Sequence, residues 1–145
     1  MTEIEFHVNM PDKLQYCCRL LRKAYRGGTR VVVTAESALL AQLDQLLWTF
    51  SSHDFLPHCS SNASELTLAI TPIRLAEQLA DCPTDGVLVN LGQKLPTNFE
   101  RFQRFIEVAS DSNDDILAAR VRWKHYKDRG YVLKKHALPT SLEAP

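Results

Sequence analysis

The stretch Arg30–Trp48, RVVVTAESALLAQLDQLLW, decides the fold of this 145-residue chain. It begins with Arg30–Thr34, in which an arginine is followed by an unbroken β-branched run of the kind found in strands that are buried on both faces of a sheet. From about Glu36 to Trp48 the leucines recur every three to four residues, which predicts a helix with one buried side. A buried strand followed directly by an amphipathic helix is the repeating unit of α/β proteins.

The residues before this stretch repeat the same pattern. Glu3–Val8 alternates polar and apolar side chains, as a short strand does. Pro11 and Asp12 then open a predicted helix, because proline suits the first helical turn. This helix is predicted to end at the glycine pair Gly27–Gly28. Strand, helix, strand and helix within 48 residues predict a mostly parallel sheet with crossover helices.

Further strands are predicted downstream at Glu65–Ile70, Gly86–Leu91 and Phe102–Ala109. The Ser-, His-, Asn- and Pro-rich segment Ser51–Ser64 is typical of a loop, and Pro72–Cys82 fits either a helix or an extended excursion. We therefore expect an α/β fold: a single Rossmann-like, three-layer domain over residues 1–136, with a frayed tail at 137–145.

The turn after the first predicted strand, Asn9–Asp12, contains no glycine, and the chain has neither G-x-G-x-x-G nor G-x-x-x-x-G-K-[ST]. Without glycines the backbone cannot approach a phosphate closely, so no nucleotide-binding loop is expected. No apolar run is long enough to span a bilayer, and the start of the sequence lacks a signal-peptide pattern. These features predict a cytoplasmic protein with no membrane partner.

Few residues are arranged for catalysis or metal binding. His53, His58 and Cys59 cluster in the polar loop, but their spacing matches no known metal site, and no nucleophile elbow is present. We expect no enzymatic activity, no cofactor and no metal. The four cysteines are expected to be reduced thiols used as small core residues. They are Cys17, Cys18, Cys59 and Cys82.

Charge is distributed unevenly along the chain. Residues 1–115 carry 10 basic and 15 acidic side chains, whereas residues 116–145 carry 7 basic and 2 acidic ones. Most of the excess of positive charge lies on a helix predicted from about Asp114 to Gly130.

One side of this predicted helix contains a tryptophan and several cations: at 100° per residue they fall within an arc of roughly 100°. They are Ile116, Arg120, Trp123, Lys124 and Lys127. The stripe fits an anionic ligand with a hydrophobic group. It equally fits an inward-packed indole with solvated cations around it.

The same helix carries a family resemblance. Ala119–Tyr131, ARVRWKHYKDRGY, closely resembles the signature of the chi subunit of bacterial DNA polymerase III, the HolC family. Other segments agree with the family in order and spacing, so the resemblance covers nearly the whole chain. They are Phe6, Gly28–Val33, Leu43–Trp48, Ser52–His58, Val87–Leu91 and Phe102–Val108.

This resemblance implies an accessory subunit of the replicative polymerase holoenzyme that acts in DNA replication and has no activity of its own. It implies two partners: the psi subunit of the clamp loader, and the acidic C-terminal tail of single-stranded-DNA-binding protein, which ends in a phenylalanine carboxylate. Carried over by position, the tail-binding residues would be Arg120, Trp123, Lys124, Lys127, Gly130 and Tyr131. Ile116 and Ala109 depart from the lysine and valine of better-known relatives.

Two aromatic residues match the family positions that contact psi. Taken alone, Trp48 and Phe55 fit core positions; the resemblance places Phe55 at the surface and leaves Trp48 open between core and surface. A helicase-like protein is a further candidate partner for this surface. Nucleic acid is expected to be contacted mostly indirectly. The alternative function is direct nucleic-acid binding through the basic helix, against which the negative charge of the first 115 residues counts.

Overall fold

The computed structural model describes residues 2–50 and 55–137. The helices are α1 (Lys13–Arg26), α2 (Ser37–Thr49), α3 (Glu65–Ile70) and α4 (Asn113–Asp128). The strands are β1 (Glu3–Met10), β2 (Val31–Thr34), β3 (His58–Ser60), β4 (Ile73–Leu75), β5 (Val87–Asn90), β6 (Arg104–Ser110) and β7 (Leu133–Ala137).

The strands form one sheet in the order β3-β4-β2-β5-β6-β1-β7, and the pairings within it are parallel. β2 lies third in this order, between β4 and β5, and is buried along its whole length, as its β-branched run predicts. The predicted α/β fold with a mostly parallel sheet is confirmed. Among the described helices, none is long and apolar enough to cross a bilayer.

Helices cover both faces of the sheet and make three layers. On one face, Leu21 of α1 and Leu43 of α2 are fully buried in a cluster with the valines of β2 and β5. On the other face, Tyr126 of α4 is fully buried against Phe6 and Phe105. Each face of the parallel sheet therefore has its own apolar core, as expected when side chains alternate along buried strands.

The ends of α1 and α4 carry capping residues, although Pro11, which was expected in the first turn of α1, lies just before the N-cap Asp12. Asp12 caps α1 by accepting a hydrogen bond from the Gln15 backbone N–H at 3.1 Å, and Gly28 adopts a left-handed φ of 76° beyond its last turn. Ser112 caps α4 by accepting from the Asp115 N–H at 3.3 Å, and Gly130, with φ 87°, follows its end. Since Asp12 occupies the helix N-terminus that follows β1, a phosphate would meet a carboxylate there.

The predicted strand at Glu65–Ile70 is wrong, because this segment is helix α3. Ser64 provides the cap: its hydroxyl accepts from the Thr67 backbone N–H at 3.3 Å. Leu66 and Ile70, which an alternating pattern would bury, are 72% and 69% exposed. Six residues are too few to separate a period of 2 from one of 3.6, and the capping serine decides between them.

Three short strands were not predicted as such. β3 lies in the segment assigned to a loop, β4 lies in the segment left open between helix and excursion, and β7 follows the last helix. Ala137, assigned to the frayed tail, is the last residue of β7, where it pairs with Val8. The rest of the predicted tail, like His53 of the polar loop, lies outside the described residues. Each strand depends on a partner distant in sequence, so local composition could not reveal it.

Candidate functional site

An open groove of about 560 Å³ lies between α4 and the strands β1, β6 and β7. Its lining is apolar, with a cationic rim from two different elements. The principal apolar contributors are Phe6, Val8, Ala109, Ile116 and Trp123, and the cations are Arg120 and Lys135. Ala109 and Ile116, which the resemblance marks as departures from better-known relatives, both line this groove.

Trp123 satisfies both interpretations of the helical stripe. Its indole is half-buried and packs edge-on against Phe6, with ring centroids 5.1 Å apart, and it also forms part of the groove wall. Arg120, one turn earlier on the same face of α4, is exposed at the rim. The arrangement offers a fixed aromatic surface beside a guanidinium whose donors remain accessible to a carboxylate.

The other predicted tail-binding residues do not line this groove. Lys124 is exposed and forms an ion pair with Asp128 at 2.9 Å, and Lys127 is exposed further along α4. Gly130 lies about 15 Å from Arg120 along the helix axis, given a rise of 1.5 Å per residue. Tyr131 packs against Phe99, with ring centroids 5.5 Å apart. A single phenylalanine bound beside Arg120 would therefore not reach Gly130 or Tyr131.

Lys135 reaches the groove because of strand register. β7 pairs with β1 in parallel, so that Phe6 lies opposite Lys135 and Val8 opposite Ala137. Side chains of paired residues point to the same face of a sheet. Lys135 was counted only as part of the basic C-terminal region, and the pairing of β7 with β1 is what identifies it as a groove residue.

A buried ion pair positions α4 on the sheet. Glu107 of β6 is fully buried, and its carboxylate lies 3.0 Å from Arg122 Nε. It also accepts hydrogen bonds from Tyr126 Oη at 2.5 Å and Asn90 Nδ2 at 2.9 Å. Burial raises the pKa of Glu107, although the Arg122 charge and these hydrogen bonds oppose the rise. Arg122 and Tyr126 of the family signature are therefore structural, and they fix the helix that presents Arg120 and Trp123.

A second buried carboxylate holds the start of α4. Asp115 accepts hydrogen bonds from Lys13 Nζ at 2.8 Å, Gln93 Nε2 at 2.7 Å and the Ser110 N–H at 2.9 Å. Burial alone would raise the pKa of Asp115, but these donors and the Lys13 charge outweigh it and lower the pKa to about 2. Asp115 thus connects α4 to α1, to β6 and to the segment that follows β5. It is the neighbour in sequence of Ile116, which lines the groove.

A separate aromatic patch lies at the end of α2. Trp48 and Phe55 are 56% and 58% exposed, with ring centroids 5.4 Å apart. Phe55 therefore lies at the surface, as the resemblance implies, and Trp48, which was left open between core and surface, lies there too. Trp48 also packs edge-on against the buried His58 at 4.9 Å. His58 itself donates from Nδ1 to the Leu56 carbonyl at 2.7 Å. Large exposed aromatics that touch one another are unusual on a protein surface without a partner.

The thiols and the crevice at the centre of the sheet are unsuited to catalysis. Cys17, Cys18 and Cys82 are buried free thiols, and burial raises the pKa of Cys18 to about 12. Glu36 and Glu77 line the crevice beyond the carboxyl ends of β2 and β5, where nucleotides bind in related folds. With Lys94 as the one cation among the charged lining residues, the two carboxylates would still repel a phosphate.

One cluster of potential metal ligands was missed by the sequence analysis. Glu5, His7 and His136 bring one ligand atom each to within 4.8 Å of one another, on the face of the sheet opposite the groove. The alternation Glu5-x-His7 was the only local signal. His136 joins the cluster because it pairs with His7 between β7 and β1.

Comparison with known protein sequences identifies relatives of this chain. The sequence model described as "DNA polymerase III chi subunit, HolC" matches residues 1–134. A relative from Pseudomonas aeruginosa, DNA polymerase III subunit chi, is 32% identical over 96% of this chain and 99% of its own length. The chi subunit of Haemophilus influenzae is 27% identical over 82% of this chain and 83% of its own length. That of Escherichia coli is 25% identical over 82% of this chain and 81% of its own length.

Among solved structures, the C-terminal domain of the DEAD-box protein Dbp5 superposes with a TM-score of 0.57, covering 94% of this chain and 90% of that one. At 13% identity this similarity concerns the fold alone. The sequence matches are of a different kind, since they extend over most of the chain, and the range of the family model includes α4. The chain belongs to the DNA polymerase III chi subunit family.

Proposed function

We propose that the chain is a non-catalytic accessory subunit of DNA polymerase III that connects two proteins during DNA replication. One is the psi subunit of the clamp loader, and the other is single-stranded-DNA-binding protein, engaged through its acidic C-terminal tail. The observation that carries the proposal is the groove under α4. It combines an apolar lining with two cations at its rim, which is what a terminal phenylalanine with a free carboxylate requires.

The tail would bind with its phenylalanine ring beside Trp123 and above Phe6. Arg120 would hold the terminal carboxylate, because its planar donor pair matches a carboxylate and remains exposed. Lys135 would supply the second cation, a role that Ile116 cannot fill where relatives carry lysine. Lys124 and Lys127, which are exposed on the same helix, would meet the aspartates that precede the phenylalanine.

Replacing Arg120 with alanine is expected to weaken binding of the tail peptide by about 1.5–3 kcal/mol, the scale of a hydrogen bond to a charged group. Isothermal titration calorimetry with the acidic peptide measures this directly. Peptides that lack the final phenylalanine, or that carry a C-terminal amide, should lose comparable affinity. Arg129→Ala removes the same charge from an exposed position beyond the groove and serves as the matched control. Unchanged affinity in Arg120→Ala would contradict the proposal.

Titrating the same variants with a single-stranded oligonucleotide separates peptide binding from direct nucleic-acid binding. If the basic helix bound an oligonucleotide, the logarithm of the affinity would fall by about one slope unit in log salt for each phosphate contact. Lys127→Ala and Arg129→Ala would then matter as much as Arg120→Ala, because phosphate contacts depend on total charge. In the groove, Lys135→Ala should cost more than Lys127→Ala.

The psi subunit would bind at the aromatic patch of Trp48 and Phe55. The proposal is supported by the exposure of both rings and by their mutual contact. Partner surfaces commonly concentrate their binding energy in a few aromatic residues surrounded by neutral contacts. The patch belongs to α2 and the segment after it, whereas the groove is built from α4, β1, β6 and β7. The two partners could therefore bind at once.

Replacing Trp48 with alanine should weaken psi binding by about 2 kcal/mol, the usual threshold for an interface hot spot. Surface plasmon resonance with immobilised psi can measure the change, and tail-peptide binding should be unaffected. Leu66→Ala, at an even more exposed apolar position on α3, provides the control. If Leu66→Ala weakens psi binding and Trp48→Ala does not, the psi surface lies elsewhere. The same pair of variants tests a helicase-like partner.

A further inference from the structure

Two adjacent strands place three metal-ligand side chains on one face of the sheet. Glu5 and His7 are two residues apart in β1, and His136 lies opposite His7 in β7. Glu5 Oε1 lies 3.1 Å from His7 Nε2 and 3.7 Å from His136 Nε2. The cluster lines an open pocket of about 540 Å³ beside α1, on the opposite side of the sheet from the groove.

We propose that Glu5, His7 and His136 form a binding site for a zinc-class divalent metal ion that bridges β1 and β7. Two imidazoles and one carboxylate, with the fourth position open to solvent, are an established ligand set for Zn²⁺. With metal–ligand distances near 2.0–2.1 Å, ligand atoms of a tetrahedral site lie about 3.3 Å apart. The two distances to Glu5 Oε1 bracket that value, and all three ligand atoms lie within 4.8 Å of one another, so rotation of the two imidazoles toward each other would complete the triangle.

The surroundings of His7 are those of a metal ligand. Its Nδ1 forms a hydrogen bond with the Tyr16 hydroxyl, so that Nε2 is the atom facing the cluster. Ligand histidines usually use their second nitrogen in this way, which fixes the ring. Burial lowers the pKa of His7, and the hydrogen bond to Glu5 only partly offsets this. With a metal on Nε2, the neutral ring would carry its proton on Nδ1, and this N–H would donate a hydrogen bond to the Tyr16 hydroxyl oxygen.

Positive charges around the pocket limit the geometry but do not block it. Arg104 Nη2 lies 3.5 Å from Glu5 Oε2, the oxygen that faces away from the histidines, so Oε1 stays available to a metal. Arg19 and Lys23 of α1 also line the pocket. They favour an anion or hydroxide as the fourth ligand.

The site is tested by titrating the untagged, metal-stripped full-length protein with Zn²⁺ by calorimetry and with Co²⁺ by absorption. We expect one equivalent to bind at micromolar concentrations, tetrahedral Co²⁺ bands and a Tm increase of several degrees, because the ion binds only the folded chain. His136→Gln should weaken binding by at least tenfold. Tyr16→Phe should weaken it by about tenfold, the lower end for loss of a supporting hydrogen bond.

Two controls exclude other ligands. His125→Gln removes a histidine from α4, away from the cluster, and Cys59→Ser removes the half-buried thiol; neither should change metal uptake. Hydrogen exchange adds a second readout, because the ion would protect β7 amides from exchange. Failure to bind either metal at millimolar concentration, or uptake unchanged in both His136→Gln and Glu5→Gln, overturns the proposal.

Metal binding at His136 would also restrict the motion of the neighbouring Lys135, whose side chain points to the groove from the other face of β7. This consequence, unlike the site itself, rests on the proposed function. Metal uptake is measured without the tail peptide, so failure of either idea can be recognised separately.

Discussion

Replacing Arg122 with methionine is expected to lower the free energy of unfolding by about 3–5 kcal/mol, the usual cost of removing one partner of a buried ion pair. The guanidinium is 4% exposed, lies 3.0 Å from Glu107 and donates to the Gln93 carbonyl at 2.6 Å. Methionine fills much of the volume but leaves the Glu107 carboxylate with only neutral donors, from Tyr126 and Asn90. Urea denaturation followed by circular dichroism measures the change.

The double variant Arg122→Met/Glu107→Gln distinguishes loss of the ion pair from poor packing. With the charge also removed from position 107, most of the stability should return, because buried pairs are often neutral relative to uncharged replacements. In the single variant Arg122→Met, the pKa of Glu107 in the folded state would lie above its value in the unfolded chain. The folded state would then bind more protons, so stability should fall as pH rises above about 4.5. If Arg122→Met lowers the free energy of unfolding by less than 1 kcal/mol, Arg122 does not hold α4 in place.

Asp115→Ala is expected to cost about 3–4 kcal/mol, because three donors that converge on one carboxylate lose their acceptor. The wild-type protein should show the same interaction in acid. The pKa of Asp115 is lowered to about 2 in the folded state from an ordinary 3.8, so its stabilisation is complete above pH 4 and is lost as pH falls toward 2. The shift corresponds to about 2 kcal/mol.

Thermal and urea unfolding between pH 2 and pH 6 can check this dependence. In Asp115→Ala the part of the acid destabilisation due to this group should vanish. Asp114→Ala is the matched control, since Asp114 is an exposed carboxylate in the same first turn and is worth only about 0.3–1 kcal/mol through the helix dipole. Equal losses in the two variants would assign the effect to the helix dipole instead of to the contacts with Lys13, Gln93 and Ser110.

The central part of the fold could be predicted because its signals are local and strong. The valines Val31–Val33 are buried on both faces of the sheet, and the leucines after them have only one helical arrangement that buries them. The turn residues Asp12 and Gly28, and the cap Ser112, act on their own neighbours, so their effect is visible in sequence. Glu65–Ile70 shows the limit: six residues satisfied both periods, and one serine hydroxyl decided in favour of a helix.

The groove could be predicted only in part. Helical geometry put Arg120 and Trp123 on one face of α4, and the structure places both in the groove. The same arc included Lys127, which lies too far along α4 to line it. Lys135 and the apolar lining from β1 belong to other elements, so no pattern within α4 could indicate them. Trp48 and Phe55 resemble core residues in composition, and only their places beyond the packed face of α2 leave them exposed.

The sequence by itself determined the α/β class, the buried central strands, the capped basic helix and the family, because each of these depends on neighbouring residues or on a continuous motif. Only the tertiary structure decided which cations share the groove with Trp123, that Arg122 and Tyr126 face inward to Glu107, and that Glu5, His7 and His136 meet. The physical reason is strand pairing. The register of β7 on β1 sends Lys135 to one face of the sheet and His136 to the other, and that register depends on contacts between residues more than 120 positions apart.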